Sequence, residues 1–305
     1  MPLGHTLLPS GPLAYGCWRI AETEAHAEEV GRPALIAAVE VGYTLFDHAD
    51  IYCGGRSEEL FGKMLREMPD LRERITIATK CGIRPAGTPY ADAPTRYDSS
   101  ADYIIASCEG SLRRLGIETI DVYQIHRPDY LMNPTEVAEA FDKLRAAGKV
   151  REFGVSNFRP SQVAALQSAL PFKLLVNQIE ISLACLAPLE DGTLDQCLAE
   201  RITPLAWSPL GGGLLGGGAH KLLPAQEAYD VERINIALDD LARELGCTRA
   251  VVALAWLLKH PAGIVPIVGS TDPARIREAA WTPNVELSRD QWYRLLTAAR
   301  KEPLP

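Results

Sequence analysis

The sequence predicts an α/β fold, a single (β/α)8 TIM barrel spanning residues 1–305, with extra helices before the eighth strand and at the C-terminus. Three observations point there. Short apolar runs of strand length alternate with stretches of helical period from end to end, the signature of a parallel sheet covered by helices. Eight such runs can be counted. Polar residues recur at their C-terminal ends, where a barrel gathers its functional groups. No linker, low-complexity tail or strong internal repeat divides the sequence, and a two-domain doubly wound arrangement is the alternative reading.

The first strand is read at 12–16, followed by a helix over about 24–41 that carries Leu35 and Val39 on one side and stops at Gly42. Strand 43–47 comes next, then a helix opened by Ser57. Strand 75–80 leads into a polar loop over 82–98, rich in proline and glycine. A helix near 100–115 precedes the apolar strand 119–125. Asn133 as N-cap, Pro134 in the first turn, and Val137, Phe141 and Leu144 at helical spacing before Gly148 mark the following helix. Strand 150–155, helix 160–168, strand 173–179, helix 193–201 and strand 203–207 keep the rhythm. A glycine-rich stretch at 211–218 interrupts it. Helices near 231–245 and 249–259 then precede strand 263–267, a helix near 272–280 and a last helix opened by the capping box Ser288-x-x-Gln291.

Bulk composition narrows the function. Apolar residues make up 47% and charged residues 23%, and the formal charge of −8 gives no general attraction to nucleic acid or an anionic membrane. The start Met1-Pro2-Leu3-Gly4-His5 lacks the basic and apolar regions of a secretory signal. No window approaches the roughly 18 apolar residues of a membrane span. Seven cysteines (Cys17, Cys53, Cys81, Cys108, Cys185, Cys197 and Cys247), an odd number without a C-x-x-C pair, argue against a disulfide framework or zinc ribbon. The expectation is a cytoplasmic protein, monomer or small homo-oligomer, with a small-molecule partner and no metal.

Four polar residues carry the chemistry: Asp47, Tyr52, Lys80 and His126. Alone, each has a plain structural explanation. Together at neighbouring strand ends they make a proton-transfer site. Tyrosine ordinarily titrates near 10. A cation about 4 Å away stabilises the phenolate by roughly 4 kcal/mol at an effective dielectric of 20. Lys80 can be that cation, Asp47 can hold it, and Tyr52 is then expected as a general acid with a lowered pKa. His126 can donate a hydrogen bond to the same carbonyl oxygen.

A protonated carbonyl needs a hydride, and the other strand ends offer a nicotinamide site. Ser156, Asn157 and Gln178 have hydroxyl and amide groups suited to a carboxamide. Trp207 offers a flat stacking face, and Gly211-Gly212-Gly213 lets backbone approach a pyrophosphate. Capping by Ser156-Asn157 and packing by Trp207 are the plain alternatives. Gly211-x-Gly213-x-x-Gly216 satisfies G-x-G-x-x-G, yet Pro209 precedes it and Gly217-Gly218-Ala219-His220 opens no convincing helix, so it reads as a flap.

The runs Phe46-Asp47-His48-Ala49-Asp50-Ile51-Tyr52, Thr79-Lys80-Cys81-Gly82, Ile125-His126-Arg127-Pro128, Gly154-Val155-Ser156-Asn157-Phe158 and Trp207-Ser208-Pro209-Leu210-Gly211 resemble the aldo-keto reductase superfamily. They span nearly the whole chain in the family's order, and are closest to bacterial aldo-keto oxidoreductases of unassigned substrate. The resemblance implies a catalytic tetrad of Tyr52, Lys80, Asp47 and His126, with Tyr52 as proton donor. It implies a cofactor, NADPH with NAD as a secondary possibility, laid across the barrel mouth against Gly16, Cys17, Trp18, Asp47, Ser156, Asn157, Gln178, Trp207, Ser208, Leu210 and Gly212. Its far end would meet Gly269, Ser270, Thr271, Arg275, Glu278 and Ala279. Many relatives place a lysine where Gly269 stands, but a helix N-terminus with two hydroxyls and a guanidinium can also hold a phosphate. Substrate contacts would be Trp18, Tyr52, Cys53, His126 and Arg127. The implied activity is reversible reduction of an aldehyde or ketone. A nucleotide-binding regulatory subunit and a lyase using Lys80 as Schiff base are the rival expectations.

Overall fold

Eight parallel strands close on themselves in chain order in the computed structural model, which describes residues 3–218 and 222–300. They are β1 (Ala14–Gly16), β2 (Leu45–Asp47), β3 (Thr76–Cys81), β4 (Ile120–Ile125), β5 (Val150–Ser156), β6 (Val176–Glu180), β7 (Thr203–Trp207) and β8 (Val265–Val268). Each lies beside the next, and β8 returns to β1, with Ala14 opposite Ile267. This is the expected (β/α)8 barrel.

The two-residue period of a strand explains what points inward. One buried cluster fills the barrel with Ala14, Leu45, Ala78, Val122, Val176, Leu205, Val265 and Ile267. Two residues further along the same faces stand Gly16, Asp47, Lys80, Gln124, Gln178 and Trp207. An apolar plug therefore supports a polar layer at the C-terminal mouth. The opposite end is closed by the N-terminal segment, where Gly4 N donates to Thr203 Oγ1 at 2.8 Å and Gly11 N donates to Thr44 Oγ1 at 2.7 Å. Thr76 Oγ1 donates to Pro9 O at 2.7 Å, and Leu3 is buried among the barrel's inner residues.

Several elements differ from their sequence reading. The helix expected over 24–41 is broken into Glu24–His26, a wide turn at Ala27–Gly31 and Arg32–Glu40. Pro33 has no N–H to continue the α pattern, and a Cβ on Gly31 would stand 1.8 Å from Ile20 O, so the chain must be bare there. The next helix starts at Arg56 rather than Ser57, behind Gly55 in the left-handed region at φ 92. The 82–98 loop contains an antiparallel ribbon pairing Ile83–Arg84 with Arg96–Tyr97. The extra helices, Glu232–Leu245 and Arg249–Leu258 before β8 and Arg289–Ala299 at the end, are present. Ser288 caps the last, accepting from Gln291 N, as its capping box requires. No helix among the described residues is long and apolar enough to cross a membrane.

Candidate active site

The polar layer opens into a cavity of about 630 Å³, within the range of small-molecule sites. Asp47, Tyr52 and His126 line it, and Lys80 lies beneath them, fully buried. Strand register brings Asp47 level with Ala78, so Lys80 projects one pleat beyond, toward the Asp47 carboxylate. Lys80 Nζ donates to Asp47 Oδ1 at 2.7 Å, to Asp47 Oδ2 at 2.8 Å and to His48 O at 2.6 Å. These contacts use all three ammonium protons. Burial lowers the Lys80 pKa, opposed by the charge and hydrogen bonds of Asp47.

That arrangement corrects one expectation. The ammonium gives no hydrogen bond to Tyr52 and sits 4.9 Å from the centre of its ring. Burial, followed by the Asp47 carboxylate, pushes the Tyr52 phenol well above its ordinary value, while Arg127 pulls the other way. Tyr52 is thus held protonated, not tuned downward. The His126 ring lies edge-on to Tyr52 with centroids 5.8 Å apart. Burial, then the charges of Lys80 and Arg127, holds its pKa well below the usual histidine range, so the imidazole is neutral. Its buried Nδ1 has no protein partner.

On the neighbouring strand ends a hydrogen-bonded chain fixes the amide groups. Ser156 lies opposite Gln178, and Ser156 Oγ donates to Gln178 O at 2.9 Å. Gln178 Nε2 donates to Asp47 Oδ1 at 2.8 Å. Asn157, at φ 63, donates through Nδ2 to Ser156 Oγ (2.8 Å) and His126 O (3.2 Å). Its Oδ1 accepts from Trp207 Nε1 at 2.9 Å. Asparagine tolerates the left-handed region better than most residues. One network thereby ties Ser156, Asn157 and Gln178 to Asp47 and His126.

The far end of the cavity is built from the turn after β8. Gly269, Ser270, Thr271, Arg275, Glu278 and Ala279 all line it. Asp272 caps the helix Pro273–Ala280 by accepting from Ala274 N at 2.8 Å. A Cβ on Gly218 would lie 2.8 Å from Arg275 Nη1, so the glycine-rich segment closes directly on the guanidinium. At Gly269 a Cβ would meet nothing within 4 Å. Two hydroxyls, a guanidinium and a helix start form a donor set that fits a phosphate. Gly211–Gly213 form a tight turn, with Gly212 at φ 68. Ala219 and His220, part of the expected flap, lie outside the described residues.

Gly16, Trp18, Ser208, Leu210 and Arg127 line the cavity as expected. Two cysteines do not. Cys17 follows inward-facing Gly16, so alternation turns it outward into the helix-packed core, where it is fully buried. Cys53, at φ 52, directs its thiol to Trp18 O at 3.2 Å and lines a smaller adjoining pocket of about 330 Å³. Residues missed from sequence include Gln124, fully buried one pleat below His126 with neither amide atom bonded to protein. Gln226, whose amide donates to Glu180 and Ser208, had no local signal. Among the described residues no three His, Cys, Asp or Glu side chains are grouped to hold a metal.

A closed barrel with this mouth defines an oxidoreductase class, and comparison with known proteins agrees. The model of the aldo/keto reductase family matches residues 12–299. The chain is 44% identical to 6-dehydroglucose reductase of Novosphingobium aromaticivorans, over 99% of this chain and 96% of that protein. Among solved structures, the glycerol dehydrogenase of Gluconobacter oxydans superposes with a TM-score of 0.85 at 27% identity, covering 100% of this chain and 96% of the other. An aldo/keto reductase from Klebsiella pneumoniae, solved with NADP and acetate, gives 0.77 at 26% identity, over 94% and 90%. The chain belongs to the aldo/keto reductase family, and it is an NAD(P)H-dependent aldo-keto reductase.

Proposed function

We propose that the protein reversibly reduces an aldehyde or ketone to an alcohol with NADPH, Tyr52 supplying the proton. The observation that carries this reading is the convergence of Tyr52, His126, Asp47 and buried Lys80 on the cavity that Ser156, Asn157 and Gln178 also border. NADPH, when bound, supplies the hydride. Tyr52 Oη holds the proton and gives it to the carbonyl oxygen as negative charge develops there. Neutral His126 orients that oxygen. Lys80, beneath the tyrosine ring, together with Arg127 steadies the phenolate left behind. Asp47 keeps Lys80 in place. Since burial raises the Tyr52 pKa and lowers that of His126, both stay in the required form across neutral pH.

The NADP solved with the Klebsiella relative, and the donor set of Ser270, Thr271 and Arg275, favour NADPH over NADH, with NADH as a weaker alternative. The Novosphingobium relative's name suggests 6-dehydroglucose as the first aldehyde to try. A Schiff-base role for Lys80 fits poorly, because its amine is buried and its three donors are engaged. Tyr52→Phe is the test. Removal of a general acid is expected to reduce kcat by about 10²–10⁴-fold. NADPH affinity, followed by tryptophan fluorescence, should stay within about twofold, since a hydroxyl facing the carbonyl contributes little to a nucleotide held elsewhere. Full activity in the variant would refute the mechanism.

A further inference from the structure

Arg127 stands immediately after His126, at the mouth end of β4, and lines the same cavity as Tyr52. Its backbone is held on both sides. Asn157 Nδ2 donates to His126 O, and Asp129 accepts from Ser99 N and Leu131 N, both at 2.9 Å. The side chain is half-buried, yet among the described residues it makes no salt bridge and no hydrogen bond; its guanidinium lies 5.6 Å from the centre of the Trp207 ring. None of its nitrogens is a sealed, unpartnered atom, so its donors are open to a ligand or to solvent, and the residue lines the cavity. Trp18, Ile51 and Ile83 supply an apolar wall to the same cavity.

A guanidinium presents a planar fork that matches two oxygen acceptors at once. Two neighbouring arginines are occupied: Arg56 donates to Ala21 O and Glu22 O, and Arg84 to Asp98. Arg127, with no such acceptor among the described residues, borders the cavity that Tyr52 and His126 also line. We infer that Arg127 is a specificity-determining residue that selects carbonyl substrates carrying a pair of oxygen acceptors, a carboxylate or vicinal hydroxyls, over plain alkyl carbonyls. The inference rests on the carbonyl-reductase reading and narrows it to a substrate class. A paired acceptor would draw the substrate to one orientation, leaving its carbonyl beside Tyr52 and His126 and its carbon chain along the apolar wall.

Three four-carbon aldehydes test this: succinic semialdehyde, 3,4-dihydroxybutanal and butanal. The wild-type kcat/KM is expected to be at least about tenfold higher for one or both oxygen-bearing aldehydes than for butanal, the cost of an unmatched fork. The larger of the two ratios identifies the carboxylate or the diol as the preferred form. In Arg127→Met the ratio should fall to about one, and Arg127→Lys, which keeps charge without the fork, should lie between. The ratio is the readout, because it is insensitive to a general loss of active enzyme. A wild-type ratio near one, or a ratio unchanged in Arg127→Met, overturns the inference. If wild type reduces none of the three, the carbonyl-reductase reading is in question, and calorimetric titration with succinate and with ethylene glycol decides the inference separately. Binding of either that is lost in Arg127→Met supports it, and equal or absent binding overturns it.

Discussion

Lys80 Nζ lies 2.7 Å and 2.8 Å from the two carboxylate oxygens of Asp47, inside a barrel where the lysine is fully buried and the aspartate nearly so. The pair is completed by His48 O and Gln178 Nε2, so neither partner can be removed without stranding the other. Breaking a buried ion pair typically costs about 3–5 kcal/mol. Asp47→Asn is therefore expected to lower the melting temperature by several degrees and to reduce kcat more than 1/KM, since it loosens the support of Tyr52. The double variant Asp47→Asn/Lys80→Met should recover much of the stability but none of the activity. Thermal melts and steady-state kinetics on Asp47→Asn, Lys80→Met and the double variant check this; a double variant less stable than either single one refutes the pairing argument.

Asp50 shows the same burial acting on a carboxyl that makes no ion pair among the described residues, with Ser107 and the charge of Arg114 only partly opposing it. Burial, then the nearby Glu58, pushes its pKa from 3.8 up to about 7, and its Oδ1 has no hydrogen-bond partner. Glu58 itself is engaged by Thr79 and Arg114. The folded protein keeps this proton where the unfolded chain has lost it. The resulting stability is complete below the ordinary value of 3.8 and is lost as pH rises toward 7. The loss amounts to roughly 4 kcal/mol. Asp50→Asn, which never ionises, should melt several degrees above wild type at pH 8, with the gap closing toward pH 4. His48, held down to about 3 chiefly by burial, has the opposite trend, losing stability as pH falls below 6.5. It is present in both proteins and cancels in the difference. A gap that is flat with pH would show that Asp50 does not titrate as described.

The inward placement of Asp47 and Lys80 was legible in the sequence because a strand transmits its geometry locally, whereas Tyr52 stands on the 3-10 turn Tyr52–Gly55 beyond the strand. An apolar residue inside the barrel forces its i+2 neighbour inside as well, so Leu45 implies Asp47 and Ala78 implies Lys80. The same rule accounts for Cys17, whose side chain parity turns away from inward-facing Gly16 into the helix-packed core. What the sequence hides is contact across long separations. The charge balance around Tyr52 depends on which acceptors Lys80 finds, and no spacing reveals that His48 O takes its third proton. At the end of the π turn before Arg32, Gly31 must be bare because a Cβ there would stand 1.8 Å from Ile20 O, eleven residues back in sequence but adjacent in space.

Gln226 is the clearest case of a hidden contact. It is 1% exposed, and its Nε2 donates to Glu180 Oε1 at 2.8 Å and to Ser208 Oγ at 3.0 Å, joining the ends of β6 and β7. Its Oε1 accepts from Leu223 N at 3.1 Å. Gly212 passes so close that a Cβ would be 2.7 Å from Gln226 Oε1. The amide therefore sets the position of the wall that carries Ser208, Leu210 and Gly212. Leaving such groups unpaired costs about 1–3 kcal/mol. Gln226→Ala should weaken NADPH binding by about tenfold in a fluorescence titration, equivalent to 1.4 kcal/mol. The rate at saturating NADPH should change far less, because Asp47, Tyr52, Lys80 and His126 stand on or after β2, β3 and β4, away from the bridge. Unaltered NADPH affinity would mean that the wall holds its shape without the bridge.

Gly269 offers a gain-of-function test of the nucleotide's far end. Its backbone is outside the left-handed region, and a Cβ there meets no atom within 4 Å, so a longer side chain can be built without strain. The existing site has Ser270, Thr271 and Arg275, but it also holds the Asp272 carboxylate, 3.8 Å from Arg275 Nε and committed to capping the helix. That acid offsets part of the attraction for a 2′-phosphate. Gly269→Lys adds one cation at the same turn without disturbing the cap. A partly exposed ion pair is worth about 1 kcal/mol or less, so NADPH affinity should rise up to about fivefold while NADH affinity stays unchanged. The gain should shrink as salt is raised from about 0.01 M to 1 M, where the screening length falls from about 30 Å to 3 Å. If both nucleotides tighten equally, the new lysine touches a part they share, and the turn after β8 is not the phosphate-reading element.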